Sequence, residues 1–366
     1  MRILHLSSPL TWRGGEQQIA WLAEELRAAE VEQFFMCPAG SALQKYTARE
    51  SFSCFSYRKI FALNPFPPFL LKKICRKKRI DLIHIHDSHA HTLAWMSAAW
   101  AGNSVPWVLS RRVDFPVKAK AATLWKYNHP LLKRIICVSE AVRAATAPAV
   151  QNTQKLTVVY DGIDSDRFTE SASDILRTEF GLPPSARLIV NVAALSPQKD
   201  YLTFLRAAKI ILTNRRDVHF FLIGGDGGAE GAIRNFIEKN NLGRAVTLTG
   251  FRRDVSVILP EADVFLFTSQ TEGMGTAVLD ALTARVPTVA TRAGGIPEYL
   301  VHEKNALTVA VGDANDAAAQ VLRLLKNEDL REKLRKNGTR TAERFSKAAM
   351  AHHTLAVYRD ILLKTS

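Results

Sequence analysis

The chain has 366 residues, of which 47% are hydrophobic and 23% charged, a globular composition with room for two domains of roughly 150–200 residues. No run approaches the roughly 18 uninterrupted apolar residues of a membrane-spanning helix, and the spacing of the four cysteines suggests buried thiols, not a zinc cluster or disulfide framework. The formal net charge of +14 is lopsided, with 22 Lys and Arg against 10 Asp and Glu in residues 1–160 and 27 against 25 in the remainder.

In chain order, the opening MRILHLSSPLTWRGGEQ holds an apolar run with strand character, too short for a signal peptide. The expected location is therefore the cytoplasm. Helical periodicity follows over 16–30, with Ile19, Leu22, Ala23 and Leu26 on one stripe. Short apolar runs at 2–7, 33–38, 81–86, 107–110 and 134–139 alternate with such helical stretches, which predicts a parallel sheet covered on both faces. The rhythm restarts after 155–168, with runs at 187–195, 219–225, 245–251, 264–269 and 287–291. Two doubly wound α/β domains hinged near residues 160–170 are expected, with ligand chemistry in the loops beyond the carboxyl ends of their strands.

Two basic runs in the first half, 71–81 and 110–134, interleave Lys and Arg with Phe, Trp and Tyr. A solvated helix face accounts for such runs. So does attraction to an anionic membrane or to nucleic acid.

Glycine pairs or clusters follow several strand-like runs: Gly14-Gly15, GGDGG at 224–228, which includes Gly225, EGMG at 272–275 and the pair at 294–295. Glycine lets backbone amides approach an anion, and a helix N-terminus adds partial positive charge, so such loops suit phosphate; simple turn chemistry is the plainer alternative. None is a dinucleotide fingerprint or a P-loop. In QTEGMGTAVLDAL, Glu272 falls in a loop and a helix is expected to begin near Thr276, placing Asp280 about one turn in. A diphosphate at that N-terminus would have one carboxylate on each side of it, each suited to accept hydrogen bonds from vicinal hydroxyls. This describes a nucleoside diphosphate sugar.

At these residues the sequence resembles the retaining GT-B glycosyltransferases of family 4, the group with the E-x7-E motif, over essentially the whole chain. The resemblance is carried by WRGGEQQ (12–18), LTVVYDGIDSDRF (156–168), VAALSPQKDY (192–201), LTGFRRDV (248–255), ADVFLFTSQTEGMGTAVLDAL (262–282) and TRAGGIPE (291–298). It implies two Rossmann-like domains facing a central cleft: an acceptor-binding domain at 1–165, joined by the terminal helix 350–366, and a donor-binding domain at 166–349. It implies that Glu272 meets the transferred sugar and Asp280 the ribose. Lys199 neutralises the diphosphate, the backbone of Gly273, Met274, Gly275 and Thr276 and the Gly14-Gly15 turn complete the phosphate cradle, and Phe251 and Arg252 border the base.

The chain departs from the family pattern in three places. Asp280 replaces the second Glu. Ala194 and Asp200 stand where the Lys199 loop usually has Arg and Gly, and Arg292 is a candidate to supply the missing cation. The position after the strand at 107–110, where many members have His, falls at Arg112, which with Arg111 is expected to face phosphate or an anionic acceptor.

The cluster HIHDSHAH (84–91) resembles a metal motif, but its Asp is misplaced and few further ligands are in view; no metal or other cofactor is expected. His86, Asp87 and His89 are instead expected to line an acceptor site. The DSD at 164–166 is expected to form a turn with a helix cap. Alternatives are another GT-B enzyme, such as a sugar-nucleotide epimerase or glucan synthase, or a basic nucleic-acid-binding protein, although no recognised nucleic-acid module is present. The resulting expectation is a metal-independent, retaining hexosyltransferase using a nucleotide-sugar donor and a saccharide or lipid-linked acceptor. Expected roles are cell-surface polysaccharide or lipopolysaccharide biosynthesis, at most peripheral contact with an anionic membrane, and no nucleic-acid partner.

Overall fold

The computed structural model describes residues 1–58, 66–118, 120–168 and 174–364. Ala119 of the second basic run, residues 169–170 of the expected hinge and residues 365–366 after the terminal helix lie outside them. The chain divides into two compact units, Met1–Gly162 with Lys347–Ser366, and Ile163–Ser346.

The first unit is built on a seven-stranded parallel sheet: β1 (Arg2–Leu6), β2 (Glu32–Pro38), β3 (Ser53–Tyr57), β4 (Leu82–Ile85), β5 (Trp107–Arg111), β6 (Leu132–Cys137) and β7 (Leu156–Val158). Its order is β3-β2-β1-β4-β5-β6-β7. The sequence runs locate five of these strands; β3, whose Ser-Cys-Phe-Ser-Tyr lacks a continuous apolar run, and the three-residue β7 escape them. The helix Gly14–Ala28 buries the expected stripe of Ile19, Leu22, Ala23 and Leu26. The terminal helix, Lys347–Leu363, packs Met350, Leu355, Tyr358 and Ile361 into the same core as Trp21, Leu22 and Leu26. Cys37, Cys75 and Cys137 are buried, whereas Cys54 is half-exposed with its sulfur 3.6 Å from that of Cys37.

The second unit has six parallel strands: β8 (Arg187–Val192), β9 (Val218–Ile223), β10 (Val246–Gly250), β11 (Val264–Phe267), β12 (Thr288–Thr291) and β13 (Leu307–Val309). They are ordered β10-β9-β8-β11-β12-β13. The central strands β8, β9 and β11 are almost wholly buried, as strands covered by helices on both faces must be. In both units the first strand pairs with the second on one side and the fourth on the other, so the direction of winding reverses there. Two strands diverging in this way open a crevice at their carboxyl ends where ligands bind.

Candidate functional site

In the second unit the reversal lies between β8 and β11, and the loops that follow these strands carry Lys199 and Glu272. Lys199 Nζ donates directly to Glu272 Oε1. Ser269 Oγ donates to the same oxygen at 2.6 Å, while Thr291 Oγ1 fixes the Ser269 carbonyl at 2.6 Å. The ammonium also lies 5.2 Å from the centre of the Phe267 ring. Glu272 is only 9% exposed, so this carboxylate is held among donors rather than left to solvent.

Local backbone chemistry sets the geometry. Asp200 adopts φ +46°, a left-handed conformation that Asp tolerates better than most residues. Its carboxylate then caps the helix Tyr201–Asn214, accepting from Thr203 N at 3.2 Å and Thr203 Oγ1 at 2.7 Å. Gly275 has φ +71° and precedes the helix Thr276–Thr283. A Cβ there would stand 3.0 Å from Ile296 Cγ1, so the position needs glycine for space as well as conformation. Tyr299 Oη donates to the Met274 and Gly275 carbonyls at 2.9 and 3.2 Å, and Gly295 N donates to the Glu272 carbonyl at 3.1 Å. The loop is therefore braced from behind, with the amide ends of the helix leading from it.

Asp280 lies one turn into this helix, as expected. Its Oδ2 pairs with Arg167 Nη2 at 2.5 Å, whereas its buried Oδ1 has no hydrogen-bond partner. Burial raises the Asp280 carboxyl above the usual range, opposed by the Arg167 guanidinium. Gly225 and Phe251 adjoin each other beyond β9 and β10: a Cβ at Gly225 would stand 3.7 Å from Phe251 Cβ, and the Phe251 ring is 65% exposed. Arg252 is committed to Asp254 and Glu179, so it offers the site its backbone rather than a free guanidinium.

Arg292, the candidate for the cation missing at Ala194, follows β12. Its Nη1 donates to the Thr308 carbonyl at 3.2 Å, on the β13 side of β12 and away from β8. Asp164 precedes a 3-10 turn at Ser165–Arg167, but its side chain makes no capping hydrogen bond, so the expected cap is absent.

The remaining expected residues belong to the first unit. Gly14 and Gly15 open their helix with no atom within 4 Å of a virtual Cβ. Arg112 Nε pairs with Asp161 Oδ1 at 3.0 Å and its side chain is 16% exposed. Asp161 thus meets one nitrogen of the guanidinium, while the buried Arg112 Nη1 has no hydrogen-bond partner. Arg111 Nη1 donates to Tyr127 Oη at 3.1 Å, and Nη2 to the Phe115 carbonyl. Asp87 acts as a structural tie rather than an open acceptor ligand: it receives Ser8 N and Oγ at 2.7 and 2.5 Å and the His89 and Ala90 amides at 2.9 Å.

His86 is buried, and the structure brings His5, from outside the HIHDSHAH stretch, beside it and His84. His5, His84 and His86 place nitrogens within 4.8 Å of one another, the one such grouping of metal-binding side chains among the described residues. His5 and His86 are stacked and hydrogen-bonded, and His84 is tilted against both. His84 and His86 have centroids 4.0 Å apart, and His5 Nδ1 lies 3.0 Å from His86 Nε2. With Zn–N bonds of about 2.0–2.1 Å, two imidazoles sharing an ion tetrahedrally would hold their centroids about 5 Å apart, and the His84–His86 pair stands closer than that, tilted by 36°. Burial holds the His5 imidazole down at about 4 and those of His84 and His86 well below the usual histidine value. All three are neutral near pH 7.

Comparison with known proteins agrees over both units. Residues 12–167 match the family Glycosyltransferase Family 4 and residues 173–341 match Glycosyl transferases group 1. N-acetyl-alpha-D-glucosaminyl L-malate synthase of Bacillus anthracis is 23% identical over 318 residues, covering 82% of each chain. The Escherichia coli UDP-Gal:alpha-D-GlcNAc-diphosphoundecaprenol alpha-1,3-galactosyltransferase is 26% identical, covering 71% of this chain and 70% of its own. Anabaena HepE, solved with UDP-glucose, superposes with a TM-score of 0.86 at 20% identity over 98% of this chain and all of its own. The chain belongs to the family 4, group 1 glycosyltransferases and has their GT-B fold.

Proposed function

We propose that this glycosyltransferase moves a sugar from a nucleoside diphosphate sugar to a saccharide or lipid-linked saccharide, with retention of anomeric configuration and without a metal ion. The observation that carries this reading is the Lys199–Glu272 pair at the winding reversal of the second unit, beside the helix that begins after Gly275. Lys199 and the amides of that helix lie where a departing diphosphate gains negative charge, and fixed charges there stabilise the transition state more than the ground state. The phosphate needs no divalent ion if these groups supply the compensation.

In this reading Glu272 turns from Lys199 to the hydroxyls of the transferred sugar, and Asp280 receives a ribose hydroxyl on its unpartnered Oδ1. Phe251 offers its exposed ring beside the base. The leaving phosphate oxygen takes the acceptor hydroxyl's proton on the face it departs from, which gives retention without a protein base. The E. coli relative, whose name describes a UDP-galactose donor and a diphosphoundecaprenol-linked acceptor, supports a role in cell-surface polysaccharide or lipopolysaccharide biosynthesis. The basic first 160 residues suit peripheral contact with the anionic inner face of the cytoplasmic membrane, where each Lys or Arg near the surface contributes about 1 kcal/mol. No described helix is long and apolar enough to cross a membrane.

Calorimetric titration with UDP, GDP, ADP and CMP and their sugar conjugates, in EDTA, tests the donor assignment. One nucleotide is expected to bind, with its sugar conjugate losing affinity in Glu272→Ala while the bare nucleotide does not. Binding that requires a divalent metal would reject metal independence, and a product of inverted anomeric configuration by NMR would reject retention.

A further inference from the structure

The winding reversal of the first unit carries a buried polar band rather than ion pairs. His5 faces His84 across β1 and β4, and Leu6 pairs with Ile85. The next step brings Ser7 beside His86, whose amide donates to the Leu6 carbonyl at 3.0 Å. Alternation along a strand puts His5 and Ser7 on one face with His84 and His86. Gln33 on β2 and Ser110 on β5 extend the band sideways.

Hydrogen bonding fixes which nitrogens carry protons. Gln33 Nε2 donates to the Ala23 carbonyl at 3.0 Å, so its Oε1 faces His5 Nε2 at 3.1 Å and must accept from it. A neutral His5 protonated on Nε2 leaves Nδ1 as an acceptor. His86 Nε2, 3.0 Å away, must then be the donor. That leaves His86 Nδ1 a lone-pair acceptor, and it is a buried atom with no partner. Ser7 Oγ, on the neighbouring strand end, is likewise buried without a partner. His86 is 8% exposed and Ser7 1%. Buried polar atoms normally find partners, and here two without one lie on adjoining strand ends at the carboxyl edge of the reversal.

We propose that Ser7 Oγ and His86 Nδ1 form a subsite for a hydroxyl-bearing ligand, a saccharide or polyol, whose O–H donates to the His86 lone pair and whose neighbouring oxygen meets the Ser7 hydroxyl. Gln33 and His5 are positioning residues that hold His86 in its accepting tautomer. The chain ends on an amide oxygen that cannot take up a proton, so it orients the imidazole and does not carry protons away. The depressed basicity of all three histidines keeps the acceptor form populated through neutral pH. This inference rests on the acceptor role proposed for the first unit and specifies its ligand chemistry.

The test is NMR of the full chain with 15N-labelled histidine. His86 is expected to show an unprotonated Nδ1 and a protonated Nε2 at neutral pH. Its Nδ1 resonance should shift when N-acetyl-D-glucosamine, D-galactose or myo-inositol is added. Gln33→Leu should mix the tautomers and weaken that response, while Gln33→Glu, which retains an acceptor, should restore it. His86→Asn, with an amide oxygen able to occupy the Nδ1 position, should retain sugar binding that His86→Phe loses. A proton on Nδ1, or an Nδ1 signal unmoved by all three sugars while UDP or another nucleotide still binds the same sample, overturns the subsite and implies only a buried water there. A sample that binds no nucleotide rejects the proposed function, and this inference falls with it.

Discussion

The two units wind in the same sense through their first six strands and place different chemistry at the reversal. In the second, the crevice carries formal charge: Lys199 with Glu272, and Asp280 with Arg167. In the first it carries neutral imidazoles and hydroxyls, with the Arg112 charge balanced by Asp161. Shared topology thus fixes where a ligand sits and leaves the side chains to determine what kind. Fixed charge suits an anionic leaving group, and neutral acceptors suit hydroxyls.

The contrast breaks most visibly through Lys199. Lys199→Ala removes the cation and leaves Glu272 without its counter-charge, and transfer measured as kcat/KM should fall by about 10²–10³-fold. An unchanged rate would remove Lys199 from the reaction. Gly275→Val next forces a branched side chain into a left-handed conformation against Ile296. A loss of about 1–3 kcal/mol in denaturant unfolding is expected, together with loss of nucleotide binding.

Acid should separate the units further. His5 titrates at about 4, His91 at about 3, and His84 and His86 well below the usual value, all because of burial in the first unit. The unfolded chain binds these protons near pH 6.5 and the folded unit does not, so their contribution is complete above 6.5 and is lost as pH falls towards 4. Each contributes a slope of about 1.4 kcal/mol per pH unit within that window. Burial also lowers His129 in this unit; it raises Glu16 and Asp161, which act in the opposite direction, but these are two groups against five, and the second unit has His219 alone among lowered histidines of the described residues. Hydrogen exchange followed by mass spectrometry should show protection in residues 1–162 failing at higher pH than in 163–346. Equal loss would mean that the histidines are accessible. The smallest effect expected is from Tyr358→Phe, which deprives His84 Nδ1 of its 2.5 Å partner; about 1 kcal/mol of stability should be lost with little change in nucleotide affinity.

Much of this was legible in the sequence because it is local. The strand-like runs located β8 to β12, and the QTEGMGTAVLDAL stretch placed Glu272 in a loop and Asp280 one turn into a helix from Thr276. The strand β13 is three residues long and leaves too little periodicity to detect. Arg167 lies 113 positions before Asp280, and His5 about 80 before its histidine partners, so neither pairing leaves a spacing signal. Ser269 was within reach of inspection, three residues before the Glu272 it binds. The partners of Arg112 and Asp87, Asp161 and Ser8, were not legible, because a sequence shows a charge without showing which neighbour the fold brings to it.

The return of helix Lys347–Leu363 to the first unit has a consequence for synthesis. Tyr358 meets His84 from 274 positions away, so synthesis must pass Ile361 before the first unit can close its core over Trp21, Leu22 and Leu26. The second unit is one continuous stretch and can complete its own contacts sooner, inverting the usual order in which domains mature from the N-terminus. Until then the nascent first unit presents uncovered apolar surface, and its yield should depend on chaperone supply more than that of residues 163–346 expressed alone.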